Sequence, residues 1–379
     1  MDFRFTDEQR MLADTASAFM QEVADSSATR QAMISDAGYC AESWQRLCEQ
    51  MYWQGILVPE ACGGLDLGFV EQIIVLEAMG ERLHCSPLFS SVIATLALRS
   101  VPESAIAFSL LERICAGDIV SLAHTEARPD WGSEGVGVTA SIGDSGWTLD
   151  GCARFMPFGH SANTFLVVAR HAEGLGLFVA DNNQPGVHCQ RVQTMDQTRA
   201  MADLTLTNVS VAREYCLSTD FESTLGAVLD AARILLAADQ VGGARKSLEL
   251  SVDYVQERVQ FGRSIASFQA IKHKAADMMV KAESARSLLY AAGCIADEWL
   301  SGYSDERALC EAAAMTSAAA GEAYFFTAGS GIQLHGGVGI TEEYDIQLYF
   351  KRARSTEAYL GNPTAQREVV ARLLLDGDS

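Results

Sequence analysis

The sequence contains few prolines, few cations and no long apolar run, and each shortage excludes a class of protein. Only 7 of the 379 residues are proline and 49% are hydrophobic, a balance that fits neither a disordered chain nor a fibrous repeat. No window approaches the roughly 18 uninterrupted apolar residues that a membrane-spanning helix needs. The 28 Lys and Arg residues face 49 Asp and Glu residues, and this net charge of −21 argues against a general attraction to nucleic acid or anionic lipid.

Several motifs are absent as well. The ten cysteines include no C-x-x-C pair, and no second pair at ligand spacing accompanies His84-Cys85 or His188-Cys189, so we predict no metal site. No G-x-G-x-x-G or P-loop stands between a strand and a helix, which leaves a Rossmann or P-loop nucleotide site without support. The first residues lack the order of a signal peptide, and we expect a cytoplasmic protein with reduced thiols.

The period of the apolar residues changes twice along the chain. From Thr6 to about Val23 they recur at three and four, and Thr6 with Gln9 predicts a capping box. Short β-branched or apolar runs between Gly, Asp and Asn begin at Ile119, and long helical patterns return after Asp220. This order predicts a multi-domain α+β fold with segregated domains. The predicted parts are an N-terminal helical domain over 1–118, a central β-barrel or sandwich domain over 119–218, and a C-terminal helical bundle over 219–379.

The densest group of polar residues surrounds the connection between two long helical patterns. The pattern predicts a helix that ends at Gly262, a short extended link, and a new helix from near Ser267. Arg258 and Gln269 then lie on either side of one connection. A charged fork and an amide in this arrangement suit the diphosphate of a ligand, and the alternative is an Arg and a Gln that tie down a loop.

A second group, Gln333-Leu334-His335-Gly336-Gly337-Val338-Gly339, follows the next long helical pattern. Consecutive glycines allow a backbone to approach a flat or charged ligand closely. Helix termination by glycine is the alternative explanation.

Together the two groups resemble the acyl-CoA dehydrogenase family, whose signatures run R-x-x-F-G-x-x-I-x-x-F-Q and Q-x-x-G-G-x-G. The resemblance covers nearly the whole chain, including Phe5-Thr6-Asp7-Glu8-Gln9 and Arg352-Ala353-Arg354. It implies N-terminal helices, a central β domain and a C-terminal four-helix bundle, assembled as dimers or dimers of dimers with FAD at a subunit interface. It also implies an acyl-CoA substrate, a catalytic carboxylate that removes the α-proton, hydride transfer to the flavin, and electron-transfer flavoprotein as acceptor.

The resemblance assigns roles to two sets of residues. The first set faces the diphosphate and adenosine end of an FAD bound mainly by the other subunit, and comprises Arg258, Phe261, Gln269, Gln333, Gly336 and Gly337. The second set, Asp230 and Arg233, lies beside the acyl and pantetheine part of the substrate. A charge pair that fixes the start of a helix is the alternative for Asp230 and Arg233.

The chain departs from the family at both positions of the catalytic base. The family segment Y-E-G-T aligns with Tyr359-Leu360-Gly361-Asn362, so Leu360 stands where the Glu is expected. Other members carry the base immediately before the residue equivalent to Arg233, and here that residue is Ala232. No catalytic residue is therefore assigned. Glu357 is either a displaced base or a solvated carboxylate.

The flavin-binding segments of the β domain also differ. The family reads T-E-P-x-A-G-S-D where this chain has Thr125-Glu126-Ala127-Arg128-Pro129-Asp130-Trp131-Gly132. The family's W-I-T strand aligns with Phe155-Met156-Pro157, whose proline removes a hydroxyl and a backbone N–H.

In the family, the groups that this chain retains reach a partner's FAD, and the groups that it lacks serve the subunit's own flavin ring and base. This contrast predicts one subunit of a heteromeric, α2β2 acyl-CoA dehydrogenase, completed by a paralogous subunit that carries the Glu. Similar heteromers act on CoA thioesters of bulky rings, which suggests a steroid-derived substrate. The alternatives are a self-sufficient homotetramer with base-free, desulfinase-like chemistry, and a structural or regulatory subunit without cofactor.

Overall fold

The N-terminal part of the chain is helical. The computed structural model describes residues 5–125, 131–144 and 146–375. The first six helices are α1 (Asp7–Val23), α2 (Ser26–Ile34), α3 (Ala41–Arg46), α4 (Phe69–Glu81), α5 (Leu88–Arg99) and α6 (Ala105–Cys115). The predicted capping box is confirmed: the Thr6 hydroxyl accepts from the Gln9 N–H at 3.2 Å, and the Gln9 amide oxygen accepts from the Thr6 N–H at 3.0 Å.

The central part forms one eight-stranded sheet. Its strands are β1 (Val120–Ala123), β2 (Val138–Gly143), β3 (Gly146–Pro157), β4 (Thr164–His171), β5 (Gly174–Asp181), β6 (Val187–Val192), β7 (Met201–Val211) and β8 (Cys216–Ser218). The strand order is β6-β7-β3-β2-β4-β5-β8, and β1 pairs with β4 in parallel. The run 164–169 is buried on both faces, which explains its continuous apolar character.

Helices return for the remainder of the chain. The elements are α7 (Glu222–Glu257), β9 (Val259–Gln260), β10 (Arg263–Ser264), α8 (Gln269–Leu300), α9 (Glu306–His335), α10 (Ile346–Ala358) and α11 (Pro363–Leu375). The prediction that a helix ends at Gly262 is wrong. Helix α7 ends at Glu257, and a two-stranded hairpin occupies the residues over which the apolar period continues.

The described chain divides into two compact units, each built from separate segments. One unit contains 1–30, 69–84 and 233–379, and the other contains 31–68 and 85–232. In the first unit α4 and α7 lie very close, since a side chain at Gly80 would come within 2.2 Å of the Asp239 carbonyl oxygen. In the second unit Ser90 of α5 donates to the Pro157 carbonyl at the end of β3. The domain bounds at 118 and 218 stay a prediction.

The predicted fold class is confirmed: helices, then one β domain, then helices. Within the described ranges, no helix combines the length and apolar content that a bilayer span would require.

Candidate functional site

A tight hairpin connects α7 to α8. Val259 pairs with Ser264 and Gln260 with Arg263, and the two turn residues, Phe261 and Gly262, have φ angles of 55° and 77°. Two successive left-handed residues are typical of a two-residue type I′ turn.

Backbone and Ser264 bonds close this connection. The Ile265 N–H donates to the Arg258 carbonyl at 2.9 Å, and the Ser264 hydroxyl donates to the Val255 carbonyl at 2.9 Å. The hairpin therefore holds its shape without help from the side chains of Arg258 and Gln269.

Arg258 and Gln269 are both exposed. Neither side chain makes a hydrogen bond or ion pair to any residue in the described ranges, which disfavours the alternative that they tie down a loop. Gln269 begins α8 directly after Phe268, whose side chain cannot cap the helix. The N–H groups of Gln269 and Ala270, which donate to no acceptor in the described ranges, and the guanidinium of Arg258 provide donors for an anion.

The end of α9 is equally open. Gln333 is exposed, and Gly336 adopts φ 67° and ψ −142°, a conformation that essentially only glycine tolerates. A side chain at Gly336 or Gly337 would meet nothing within 4 Å. Gly337 has no positive φ, so nothing inside the described chain explains its glycine.

Aromatic stacking joins the end of α7 to the end of α9. The Tyr254 ring stacks on His335 with centroids 4.3 Å apart and an angle of 21° between planes. Val255, Met278 and Leu334 form a small core beneath them. His335 Nδ1–H donates to the Gly331 carbonyl at 2.8 Å, and burial lowers the pKa of His335 below its ordinary value, which keeps the ring neutral at pH 7.

The two groups of residues predicted from the sequence therefore stand at one end of the bundle. We call this the hairpin surface, and it comprises Arg258, Phe261, Gln269, Gln333, Gly336 and Gly337. Phe261 is 92% exposed at the tip of the turn. Its ring meets the Phe268 ring edge-on, with centroids 6.2 Å apart, and most of its surface is open to a further contact.

The other candidate region lies between α10 and α11, and we call residues 359–362 the Leu360 loop. Leu360 is 1% exposed with a φ of 62°, so an apolar side chain is buried on a left-handed backbone. Arg233 Nε donates to the Leu360 carbonyl at 2.8 Å, and the Gln366 side-chain amide approaches the same oxygen at 3.4 Å. Arg233 and Gln366 therefore fix the backbone of the loop. Its central side chain, Leu360, cannot accept a proton.

The other candidate residues predicted from the sequence have the following surroundings. Ala232 is fully buried. Glu357 forms an ion pair with Arg354, so one of its oxygens is already occupied by a cation. Asp230 is buried on α7, and a role for Asp230 and Arg233 toward substrate stays a prediction.

Backbone polar groups at the end of β3 are already hydrogen-bonded to neighbouring residues. The Phe155 N–H donates to Asp203 at 3.2 Å, the Pro157 carbonyl accepts from Ser90, and the Phe158 N–H donates to the Ala200 carbonyl at 2.8 Å. Thr125 is buried, with its hydroxyl 3.3 Å from the Gly135 carbonyl. Most of the segment that aligns with the family's T-E-P-x-A-G-S-D, residues 126–130, lies outside the described residues.

Sequence reasoning missed the contacts that assemble these regions. One local pattern predicts the hairpin: an aromatic–glycine pair between two short extended runs. A weaker pattern indicates that Tyr254 belongs to the site, because it lies one helical turn before Arg258. The bond from Arg233 to a carbonyl 127 positions away had no local signal at all.

Two sequence profiles of the acyl-CoA dehydrogenase family match the chain. The N-terminal domain profile matches residues 6–118 and the C-terminal domain profile matches 221–375. Together they cover more than half of the chain. The chain belongs to the acyl-CoA dehydrogenase family.

Individual relatives match this chain over nearly the whole length of both chains. Acyl-CoA dehydrogenase IpdE2 of Mycobacterium tuberculosis is 34% identical over 97% of this chain and 96% of its own. The crystal structure of the ChsE4-ChsE5 complex from M. tuberculosis contains a chain that is 25% identical with a TM-score of 0.88, covering 100% of both chains. The structure of a variant of the Tcur3481-Tcur3483 steroid ACAD contains a chain 28% identical with a TM-score of 0.87, covering 98% of both.

Proposed function

We propose that this chain is one subunit of a heteromeric, FAD-dependent acyl-CoA dehydrogenase. A paralogous subunit would supply the catalytic carboxylate and the flavin-ring pocket, and this chain would complete that cofactor site from across the interface. One observation carries the proposal: the side chains that would reach a partner's cofactor are exposed and uncommitted, whereas both positions of the base hold buried apolar residues.

The hairpin surface fits the diphosphate and adenosine half of FAD. Arg258 and Gln269 present donors that no described residue uses, beside an uncapped helix start. Gly336 and Gly337 leave room for a ligand to lie against the backbone, since a side chain at either would meet nothing within 4 Å. This combination of a cation that no described carboxylate neutralises, free amide donors and open glycines suits a phosphate-bearing group.

The chain's own β domain does not fit the flavin ring. At the end of β3 the polar backbone groups of Phe155, Pro157 and Phe158 are already paired with Asp203, Ser90 and Ala200. Met156 and Phe158 are buried among their neighbours. A ring that needs hydrogen-bond partners along this strand would find them engaged.

These residues define what the chain would do in the reaction. Bound FAD supplies the acceptor for a hydride. Arg258 would hold the diphosphate through charge-assisted hydrogen bonds, with Gln269 and Gln333 fixing the rest of the cofactor by their amides. Leu360 would exclude water from its own loop without moving a proton, so the proton-removing carboxylate must come from the partner.

The comparisons support the partner and the substrate. One similar structure is a complex of two components, and another is described by the words "steroid ACAD" and by two component names. A steroid-derived acyl-CoA is accordingly our proposed substrate, and electron-transfer flavoprotein our proposed acceptor. A cytoplasmic location with all ten cysteines as free thiols completes the proposal.

The test is to purify the chain alone and together with an acyl-CoA dehydrogenase homologue from the same organism that carries the catalytic Glu. We expect no turnover and little flavin from the lone chain, and one FAD per heterodimer with CoA-thioester dehydrogenation from the pair. Stoichiometric FAD and turnover by the lone chain would establish the self-sufficient alternative instead.

Two substitutions separate the remaining alternatives: replacement of the partner's catalytic Glu, and Arg258→Ala in this chain. Loss of turnover with FAD retained would place the base on the partner. A pair whose flavin content is unaffected by Arg258→Ala would show that this chain makes no diphosphate contact, as a purely structural subunit would.

A further inference from the structure

Three aromatic rings meet where the ends of α7 and α9 come together. The Tyr254 ring stacks on His335 with centroids 4.3 Å apart. The Tyr344 ring, just before α10, meets both of them edge-on, at 6.0 Å from Tyr254 and 5.8 Å from His335. We call these three rings the aromatic clamp, and all three belong to the same compact unit.

The backbone connects the aromatic clamp to both groups of the hairpin surface. The Arg258 N–H donates to the Tyr254 carbonyl at 2.9 Å, so the position of Arg258 follows that of Tyr254. On the other side, His335 immediately precedes Gly336, whose N–H donates to the Gln333 carbonyl. One ring contact therefore links the arginine to the glycine turn.

The outer rings of the aromatic clamp are themselves fixed. His335 Nδ1–H donates to the Gly331 carbonyl at 2.8 Å, which sets the direction of the imidazole. Asp345, the residue after Tyr344, accepts from Arg30 Nη2 at 2.6 Å. The Tyr254 ring is thus held between two rings that have anchors of their own.

Packing alone does not explain three rings at this point. Val255, Met278 and Leu334 already form an apolar core between α7, α8 and α9. Tyr254 is only half-buried and Tyr344 is 38% exposed, so the rings stand at the edge of that core. Aromatic pairs have preferred angles of approach that aliphatic side chains lack, and they therefore suit a place where the orientation of two helix ends matters.

A ligand that contacts both groups of the hairpin surface needs a constant distance between them. Arg258 is exposed, and an added side chain at Gly336 or Gly337 would meet nothing within 4 Å, so neither group is fixed by neighbours of its own. Affinity for such a ligand rises when its contact regions are held at the right distance before it binds.

Resting on the proposed function, we propose that the aromatic clamp holds Arg258 at a fixed distance from the turn of Gly336 and Gly337, so that one FAD diphosphate group meets both. Tyr254 and His335 are then positioning residues. They act on cofactor affinity through Arg258 and the glycine turn.

The experiment measures the FAD dissociation constant of the heteromer by flavin fluorescence, as the apo-heteromer is titrated with FAD. Tyr254→Leu removes the stack and keeps an apolar side chain, and we expect roughly threefold to tenfold weaker binding. Tyr254→Phe keeps the ring and should stay within about twofold of the wild type.

The matched control is Phe350→Leu, which removes a ring pair elsewhere in the bundle. Phe350 faces Phe325 with centroids 5.5 Å apart and 33° between planes. Phe325 precedes His335 by ten residues on α9, or roughly 15 Å along the helix axis. Phe350→Leu should lower the melting temperature about as much as Tyr254→Leu and leave the FAD dissociation constant within about twofold of the wild type.

A double-variant cycle tests whether Tyr254 acts through Arg258. In the Arg258→Ala background, Tyr254→Leu should weaken FAD binding by less than about twofold, because the side chain that it positions is gone. A role in folding alone would give independent losses that multiply. His335→Leu removes the same stack from the other side and replaces Tyr254→Leu if that variant does not fold.

Three results would overturn the positioning role: unchanged FAD affinity in Tyr254→Leu, a loss no larger than that of Phe350→Leu, or losses that multiply with Arg258→Ala. If Arg258→Ala weakens binding and Tyr254→Leu does not, the proposed function stands and only the role of the aromatic clamp fails. If Arg258→Ala itself leaves FAD affinity unchanged, the proposed function fails and the aromatic clamp has no cofactor contact to position.

Discussion

The hairpin surface and the Leu360 loop belong to the same bundle and differ in every respect that bears on function. The first exposes polar side chains that bond to no described residue, and glycines at which an added side chain would meet nothing within 4 Å. The second buries a leucine and fixes its backbone through Arg233 and Gln366.

This difference shows where the chain depends on another molecule. The exposed donors of Arg258 and Gln269 bond to no described residue, so on the proposed function their contribution comes from a complex. The Leu360 loop is complete in itself, and its left-handed leucine costs about 1–2 kcal/mol that the surrounding bonds must offset. Substitutions should therefore affect folding on the buried side and binding on the exposed side.

The largest effect is expected in the buried region, at the ion pair that fixes α10 ahead of the Leu360 loop. Arg352 and Asp239 are 2% and 7% exposed, with Nη1 and Oδ1 2.8 Å apart. Arg352→Met leaves the Asp239 charge buried, and we expect a loss of about 3–5 kcal/mol in the free energy of unfolding, measured by urea denaturation.

The double variant Asp239→Leu/Arg352→Met is the control. Because it removes both charges, it should recover most of the lost stability. A double variant as unstable as the single one would show that packing, and not an unpaired charge, sets the effect.

The pH dependence of folding should be the next largest effect, and it originates at His84, a buried histidine on which the charge of Arg352 acts. Burial, aided by the charge of Arg352, lowers the pKa of His84 to about 4. The unfolded chain takes up this proton first as the pH falls. Stability is therefore complete above about pH 6.5 and is lost between there and pH 4, by about 3 kcal/mol.

The measurement is the difference between wild type and His84→Gln in urea midpoints at pH 7 and pH 4.5. The difference is needed because Asp297 acts with the opposite sign: burial raises its pKa to about 6, which favours the folded state as the pH falls. Equal pH slopes in the two proteins would contradict the assignment to His84.

On the exposed side, Arg258→Ala should leave the fold intact and weaken FAD retention in the heteromer. Loss of hydrogen bonds to a charged group corresponds to about 1.5–3 kcal/mol, or roughly a ten- to hundredfold weaker affinity. Flavin absorbance per heteromer after dialysis measures it. Arg263→Ala removes the same charge from the same hairpin, and equal losses from both variants would mean that Arg258 has no specific contact.

Much of the fold was predictable because it depends on local patterns. The capping box at Thr6, the return of the helical period after Asp220 and the short β-branched runs each reflect interactions within a few residues. The prediction for the C-terminal end of α7 was wrong for a physical reason. Val259 and Phe261 continue the apolar period, although two left-handed residues reverse the chain there.

The site was predictable only as a set of residue types. Family motifs identified Arg258, Gln269 and Gln333 by spacing, but no local pattern shows whether a polar side chain has a partner. The stack of Tyr254 on His335 and the bond from Arg233 to Leu360 join residues far apart in sequence. Such contacts follow from tertiary packing, which a single sequence does not reveal.

The smallest effect is expected at Gly337, and it tests the comparison most sharply because its neighbour is a built-in control. Gly336 needs its φ of 67° and ψ of −142°, so Gly336→Ala should destabilise even the lone chain by about 1–3 kcal/mol. Gly337 has neither a positive φ nor a neighbour within 4 Å of an added side chain. Gly337→Ala should then leave the melting temperature of the lone chain unchanged and reduce only the FAD content of the heteromer.

If Gly337→Ala destabilises the lone chain as much as Gly336→Ala, the glycine serves the fold and the close approach of a cofactor is no longer needed to explain it. If it changes neither quantity, the ligand does not reach this end of α9.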